Sequence, residues 1–253
     1  MKKYNILFSN KDHIWAVISR DPEKPNYIID TNEYLIMKNN KGLLTDPGGS
    51  EIFPEVFSAI SANVDPRIIE SIFSSHQDPD IISSLSLWLE MNPDLKCYVS
   101  WLWKSFIPHF GGDDKTILAL PDEGGTIKLS DLELTVIPAH YLHSPGNLNL
   151  YDKKSSIFFS GDIGASLLPK GTTDLFVEDF DKHIAYMETF HKRWMSSNTA
   201  KNTWCDRVGN LKLELLCPQH GAIFRGEDCY KFIDWFRNLK VGIETFDKSF
   251  VKN

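Results

Sequence analysis

The sequence predicts a layered α/β domain, with residues 1–253 read as one unit. Three observations predict it. Short runs rich in β-branched and aromatic residues come in groups, and these groups alternate with stretches of helical spacing. The 253 residues are 42% hydrophobic and 24% charged, which suits one sizeable core. No repeat, low-complexity tract or long linker divides them.

The first half reads mostly as strands: Tyr4–Ser9, Ile14–Ser19, Tyr27–Asp30, Glu33–Met37 and Lys41–Thr45, separated by polar turn-formers. Asp46-Pro47-Gly48-Gly49 stops the last of these, and a helix follows from Pro54 to about Ala62, with proline at its start. Ile68–Ser74 has strand length, and Ile81–Met91 has helical spacing through Ile81, Ile82, Leu85, Trp88 and Leu89. Cys97–Ser100, Leu132–Pro138, Ser156–Ser160 and Leu213–Cys217 read as further strands. Asp179–Ser196 is a long amphipathic helix with Phe180, Ile184, Met187, Phe190 and Trp194 on one face, and Glu227–Leu239 is a closing helix.

Composition removes several classes of function. The formal net charge is −7 and the densest positive runs are pairs such as Lys2-Lys3 and Lys153-Lys154, so a nucleic-acid partner is disfavoured. No stretch approaches the roughly 18 apolar residues that span a bilayer. Met1-Lys2-Lys3-Tyr4 leads into a strand rather than a signal-peptide core. The four cysteines (Cys97, Cys205, Cys217, Cys229) form no C-x-x-C pair and read as small buried hydrophobes of a cytoplasmic protein.

Acidic and histidine side chains recur just beyond strands. His76, Asp78 and Asp80 follow Ile68–Ser74, His143 follows Leu132–Pro138, Asp162 follows Ser156–Ser160, and His220 follows Leu213–Cys217. Strand ends emerge on a common sheet edge, where α/β proteins place ligand-binding groups. In the extended run His76-Gln77-Asp78-Pro79-Asp80, alternate residues point the same way. Asp78 alone also reads as a helix cap before Pro79, and Asp162 alone as a turn former. Neither accounts for the other residues of the set. Tyr141, Trp101, Trp103 and Phe110 are candidates for a pocket wall or for plain core.

Taken together these motifs resemble the metallo-β-lactamase superfamily, and most of all the lactamase-like domain of flavodiiron proteins and the standalone oxygen-binding di-iron proteins. The loop H-x-[ED]-x-D appears as His76-Gln77-Asp78-Pro79-Asp80, the next histidine in Leu142-His143-Ser144-Pro145-Gly146, the bridging aspartate in Ser160-Gly161-Asp162-Ile163-Gly164, and the last histidine in Pro218-Gln219-His220-Gly221-Ala222-Ile223. The resemblance implies an αββα sandwich, two mixed β-sheets flanked by helices. It implies a first metal on His76, Asp78 and His143, a second on Asp80 and His220, and Asp162 between them. His140, three residues before His143, is set aside because the family motif follows the histidine that precedes proline.

Two departures stand out. Many relatives carry a histidine directly after the loop aspartate, where this chain has Ile81; the position reads either as an opened coordination site on the second metal or as ordinary helix packing. Hydrolytic branches usually carry histidine where this chain has Asp78. Three carboxylates with three imidazoles form a harder set than zinc prefers, which points to iron, with zinc and manganese left open. Two divalent ions and a bridging hydroxide would make the site neutral. The expected cofactor is therefore a pair of Fe ions bridged by Asp162 and an oxo, hydroxo or O2-derived ligand, with no FMN and no flavodoxin domain in this chain. The resemblance implies an O2-binding sensor in bacterial chemotaxis signalling rather than a turnover enzyme, with O2 as ligand and chemotaxis proteins as partners. A homodimer stays open. An O2 or NO reductase fed by a separate flavoprotein is the first alternative, and a metallohydrolase the second.

Overall fold

Period-two patterning divides almost every strand between two apolar layers. A computed structural model describes residues 1–24 and 29–245. Strands β1 (Lys3–Asn10), β2 (His13–Ser19), β3 (Glu33–Lys38), β4 (Lys41–Thr45), β5 (Ile69–Phe73), β6 (Lys96–Ser100) and β7 (Ile117–Leu120) form one sheet in chain order. The pairs up to β4 are antiparallel, and β4 through β7 run parallel. The second sheet runs from β8 (Gly125–Leu129) through β9 (Leu132–Pro138), β10 (Leu148–Asp152), β11 (Ile157–Gly161) and β12 (Leu215–Pro218) to β13 (Phe224–Arg225). Only β11 and β12 are parallel there, so both sheets are mixed.

Trp15, Val17, Tyr34, Ile36 and Phe73 of the first sheet meet Leu134, Val136, Leu150, Phe159 and Cys217 of the second in a shared inner layer. On the outer face of the first sheet, Ile18, Leu35 and Leu44 pack under Val56 and Ile60 of helix α1 (Phe53–Ser61), Ile81 and Ile82 of α2 (Pro79–Ile82), and Leu85 and Trp88 of α3 (Leu85–Met91). On the outer face of the second, Phe158, Leu216 and Phe224 pack under α4 (Phe180–Trp194), α5 (Asn198–Val208) and α6 (Glu227–Asn238) through Met187, Trp204, Phe232 and Phe236. The expected αββα sandwich of two mixed sheets is the fold observed. All four cysteines are buried and unbridged.

Some elements differ from the sequence reading. The expected single helix Ile81–Met91 is two pieces, because Ser83 and Ser84 turn to the preceding loop: the Ser83 hydroxyl accepts from the Ser50 N–H at 3.0 Å, while Ser84 donates its hydroxyl to the Pro47 carbonyl at 3.0 Å. Serine's local hydrogen bonding competes here with helix continuation. Ile81 is fully buried in the outer apolar layer. The predicted strand Tyr27–Asp30 begins outside the described residues, and Asp30 itself lies in a loop; residues 246–253 of the Val241–Asn253 tail also fall outside them. Strands β7, β8, β10 and β13 and helix α5 were not legible as such. In β10 buried polar residues break the apolar run: Asn149 donates to the Ser160 carbonyl at 2.9 Å and accepts from Trp204 Nε1 at 2.8 Å.

No helix among the described residues is long and apolar enough to cross a membrane.

Candidate metal centre

The parallel ends of β5, β11 and β12, together with the end of β9, deliver all six predicted ligands to one edge of the sandwich. His76 and Asp78 follow β5, and Asp78 stands immediately before Pro79 at the start of α2, with no side-chain cap bond to the helix. Its carboxylate is free for the centre. His143 Nε2 lies 2.9 Å from Asp78 Oδ2, and His76 Nε2 lies 3.6 Å from the same oxygen. These three residues meet the spacing of a metal-ligand group. Across from them, His220 Nε2 lies 3.5 Å from Asp80 Oδ2.

Asp162 stands between the two groups and turns one oxygen to each. Its Oδ2 is 3.9 Å from His76 Nε2 and 3.7 Å from His143 Nε2, and its Oδ1 is 3.3 Å from His220 Nε2. His76 Nε2 and Asp162 Oδ1 are buried without a hydrogen-bond partner among the described residues. Buried polar atoms are seldom left so, and two of them converging among carboxylates and imidazoles is what a pair of cations would satisfy. The residues present therefore fit a dinuclear metal site.

The electrostatics agree. Burial would lower the pKa of His76 and of His220, but Asp162 together with Asp78 or Asp80 outweighs it and raises each to about 9. Burial opposes ionisation of Asp78 and Asp162 as well, yet the facing histidines hold both carboxyls below their usual range. Burial leaves the Asp80 carboxyl raised. Without metal the cluster thus holds protons on imidazoles, and incoming cations must displace them.

Residues that sequence reasoning missed fix the orientation of these ligands. His76 Nδ1 meets Ser75 Oγ at 2.9 Å, and that hydroxyl donates to Asp46 Oδ2 at 2.6 Å while the Ser75 N–H donates to Asp46 Oδ1 at 2.6 Å. With Ser75 donating to Asp46, His76 Nδ1 carries a proton, which leaves Nε2 to offer its lone pair to the centre once a metal displaces the proton it holds. Burial pushes the Asp46 carboxyl up to about 7. In the sequence, Asp46 read only as part of a strand breaker. His220 Nδ1 donates to the Asp30 carbonyl at 2.7 Å. Gln77 donates to Asp78 Oδ1 at 2.9 Å and accepts from the Ser144 hydroxyl at 2.8 Å, which leaves Asp78 Oδ2 facing the histidines.

The His143 loop is held in an unusual conformation. Tyr141 and His143 have φ of 65° and 23°, left-handed values that cost non-glycine residues free energy. The Trp194 ring packs edge-on to His143 with centroids 4.8 Å apart, and Phe190 stands behind it. These α4 aromatics wall the site on that side. Of the residues weighed earlier as a wall, Tyr141 and Trp101 are exposed, while Trp103 and Phe110 pack on the outer face of the first sheet. His191 of α4 accepts from the Gly164 N–H at 2.9 Å, tying the Asp162 loop to the helix. Gly221 beside His220 has φ 84°, and a Cβ there would run into Ser166.

His140 faces elsewhere, its Nε2 2.8 Å from the Asp122 carbonyl. Metal counting should separate the two histidines: His143→Ala should lose at least one ion, and His140→Ala should keep both. A second expectation concerns Asp46. Asp46→Asn leaves Ser75 without its charged acceptor, so the metal dissociation constant, read by competition with a chelator, should rise about 10–100-fold.

Comparisons with known proteins bear on the family and the fold. The family described as ODP family beta lactamase matches residues 29–221. A solved structure described as a peroxy diiron species of the chemotaxis sensor ODP is 38% identical, with a TM-score of 0.86, covering 96% of this chain and 97% of that one. The apo state of the chemotaxis sensor ODP from T. denticola matches with the same values, 38% identity, TM-score 0.86 and coverage of 96% and 97%. The rubredoxin oxygen:oxidoreductase of Desulfovibrio gigas shares the fold at 19% identity and TM-score 0.79, covering 92% of this chain and 61% of that one. Among curated proteins, a flavo-diiron protein of Clostridium acetobutylicum is 23% identical over 236 residues, 86% of this chain and 57% of its own length. The chain spans about half the length of the curated relatives it matches.

Proposed function

The chain belongs to the ODP beta-lactamase family, and from that premise we propose that it is a di-iron protein that captures O2 and reports it as a sensor. The observation that carries the reading is Asp162, whose two oxygens face two separate histidine–carboxylate groups. His76, Asp78 and His143 would hold one iron, Asp80 and His220 the other, and Asp162 both. A ferrous pair held by these residues would supply the electrons that O2 capture requires.

The protein's own residues supply orientation. Ser75 with Asp46, the Asp30 carbonyl and Gln77 each fix one ligand so that its donor atom faces inward. Trp194 and Phe190 pack against the His143 ring. Helix α4 touches both the His143 loop and the Asp162 loop, through the Met195 sulfur that follows it and through His191. It is therefore the element that would carry a change at the centre to the surface. By analogy with the chemotaxis sensor it resembles, the partner is a chemotaxis signalling protein in the cytoplasm; the single-domain reading of residues 1–253 is part of the same proposal.

The experiment is an optical titration of iron-loaded protein with O2 after anaerobic purification. The expected result is a persistent coloured species that forms without added reductase. Rapid multiple turnover with a generic reductant would favour the reductase instead, and a spectrum unchanged by O2 would sink both.

A further inference from the structure

We propose that Gln219 is the positioning residue for the second half of the centre, its side chain setting Asp80 against His220. The inference rests on the di-metal reading above and concerns how that half is held together. Gln219 is fully buried, and its Nε2 donates to the backbone carbonyl of Asp80 at 3.2 Å. A carbonyl can only accept, so the nitrogen is the end of the amide that faces it. Gln219 directly precedes His220 in the chain. One side chain therefore ties together two ligands that follow strands of different sheets, Asp80 after β5 and His220 after β12.

The Asp80 carbonyl is available because helix α2 stops early. In a continuing helix it would accept from the N–H four residues on, that of Ser84. Ser84 instead sends its N–H to the Gly48 carbonyl at 3.1 Å. Gln219 bonds to the acceptor that is left. Asp78 is oriented through its own carboxylate, which accepts from Gln77; Asp80 is held through its backbone. On its other side, the Gln219 N–H donates to the carbonyl of Gly161, one residue before Asp162, at 2.8 Å. The Gln219 carbonyl accepts from the Asn32 N–H at 2.6 Å, and Asn32 Nδ2 donates to the Gly221 carbonyl at 2.9 Å. Gln219 thus touches the backbone beside every ligand assigned to the second metal. Any residue at 219 would make the main-chain bonds; the bond to Asp80 needs the amide.

Packing does not account for the amide. Gln219 Oε1 is buried without a hydrogen-bond partner among the described residues. A buried oxygen left unmet is unfavourable, and a methionine of similar length would fill the space without it. What glutamine supplies and methionine cannot is the Nε2 donor to Asp80.

The test titrates metal-free protein with zinc, a diamagnetic stand-in for iron(II), in competition with a chelator, and reads two dissociation constants. The half with His76, Asp78 and His143 offers one ligand more than the half with Asp80 and His220, so it should fill first. Gln219→Met should raise the second constant about 10–100-fold and leave the first within about twofold of the parent. A role in general packing would weaken both ions alike or neither. A second arm uses the unsubstituted protein and decides the matter if Gln219→Met does not fold. In nitrogen–proton NMR spectra, the Gln219 side-chain amide should shift on the second equivalent of zinc and not on the first. Two unchanged constants, equal weakening of both, or an amide that ignores the second equivalent overturns this inference alone. A parent that takes up a single zinc overturns the di-metal reading, and this inference with it.

Discussion

Asp162→Asn is expected to strip both metal ions, lowering affinity for each at least 100-fold. The substitution keeps the size of the side chain and removes the charge that the two half-sites share. Each carboxylate oxygen lies within 4 Å of imidazole nitrogens of a different group, so both half-sites lose an anionic ligand when the charge goes and keep only Asp78 or Asp80. The facing histidines hold Asp162 ionised well below the usual carboxylate range, so the loss extends over the whole working pH range. Metal analysis after gel filtration reads the outcome. Retention of one full equivalent would mean that Asp162 serves one metal only.

The second large effect is on stability. Four loops bring three carboxylates together, and ions that bind only the folded state stabilise it by mass action. Metal at about a thousandfold over its dissociation constant contributes about 4 kcal/mol, which for a domain of this size corresponds to a melting shift of about 10 °C. Chelated protein should melt earlier by roughly that amount.

The pH dependence differs between the two forms. In metal-free protein, His76 and His220 are raised to about 9 from an ordinary 6.5, so their contribution is complete below about 6.5 and is lost as pH rises through 9. Metal loading displaces those protons, so the melting increment on adding metal should grow over the same interval. Calorimetry of chelated and reloaded protein from pH 6 to pH 9 measures both slopes. Equal melting temperatures with and without metal would mean that the ligands are not grouped as described.

All six proposed ligands were legible in the sequence because each follows a recognisable strand within a short motif, and the structure brings all six together. The residues that orient them were not. Asp46 meets Ser75 across 29 residues, and Asp30 offers His220 a backbone carbonyl, which no side-chain pattern reveals. In the fold, apolar alternation revealed the strands that bury one face in each layer. It failed where buried polar residues serve the interior, as in Asn149 and Asp152 of β10, or where polar composition conceals a helix. Helix α5 is capped by Ser197 and buries Lys201 against the final carbonyls of α6. The split between α2 and α3 follows from two serine hydroxyls bonding to a loop that precedes them by more than 30 residues.

Anomalous diffraction at the iron edge, from crystals of protein loaded anaerobically with iron, tests the central claim most directly. Two peaks of comparable height should appear, one among His76, Asp78 and His143 and one between Asp80 and His220, with Asp162 touching both. A single peak, or two peaks that leave Asp162 outside their ligand shells, would contradict it.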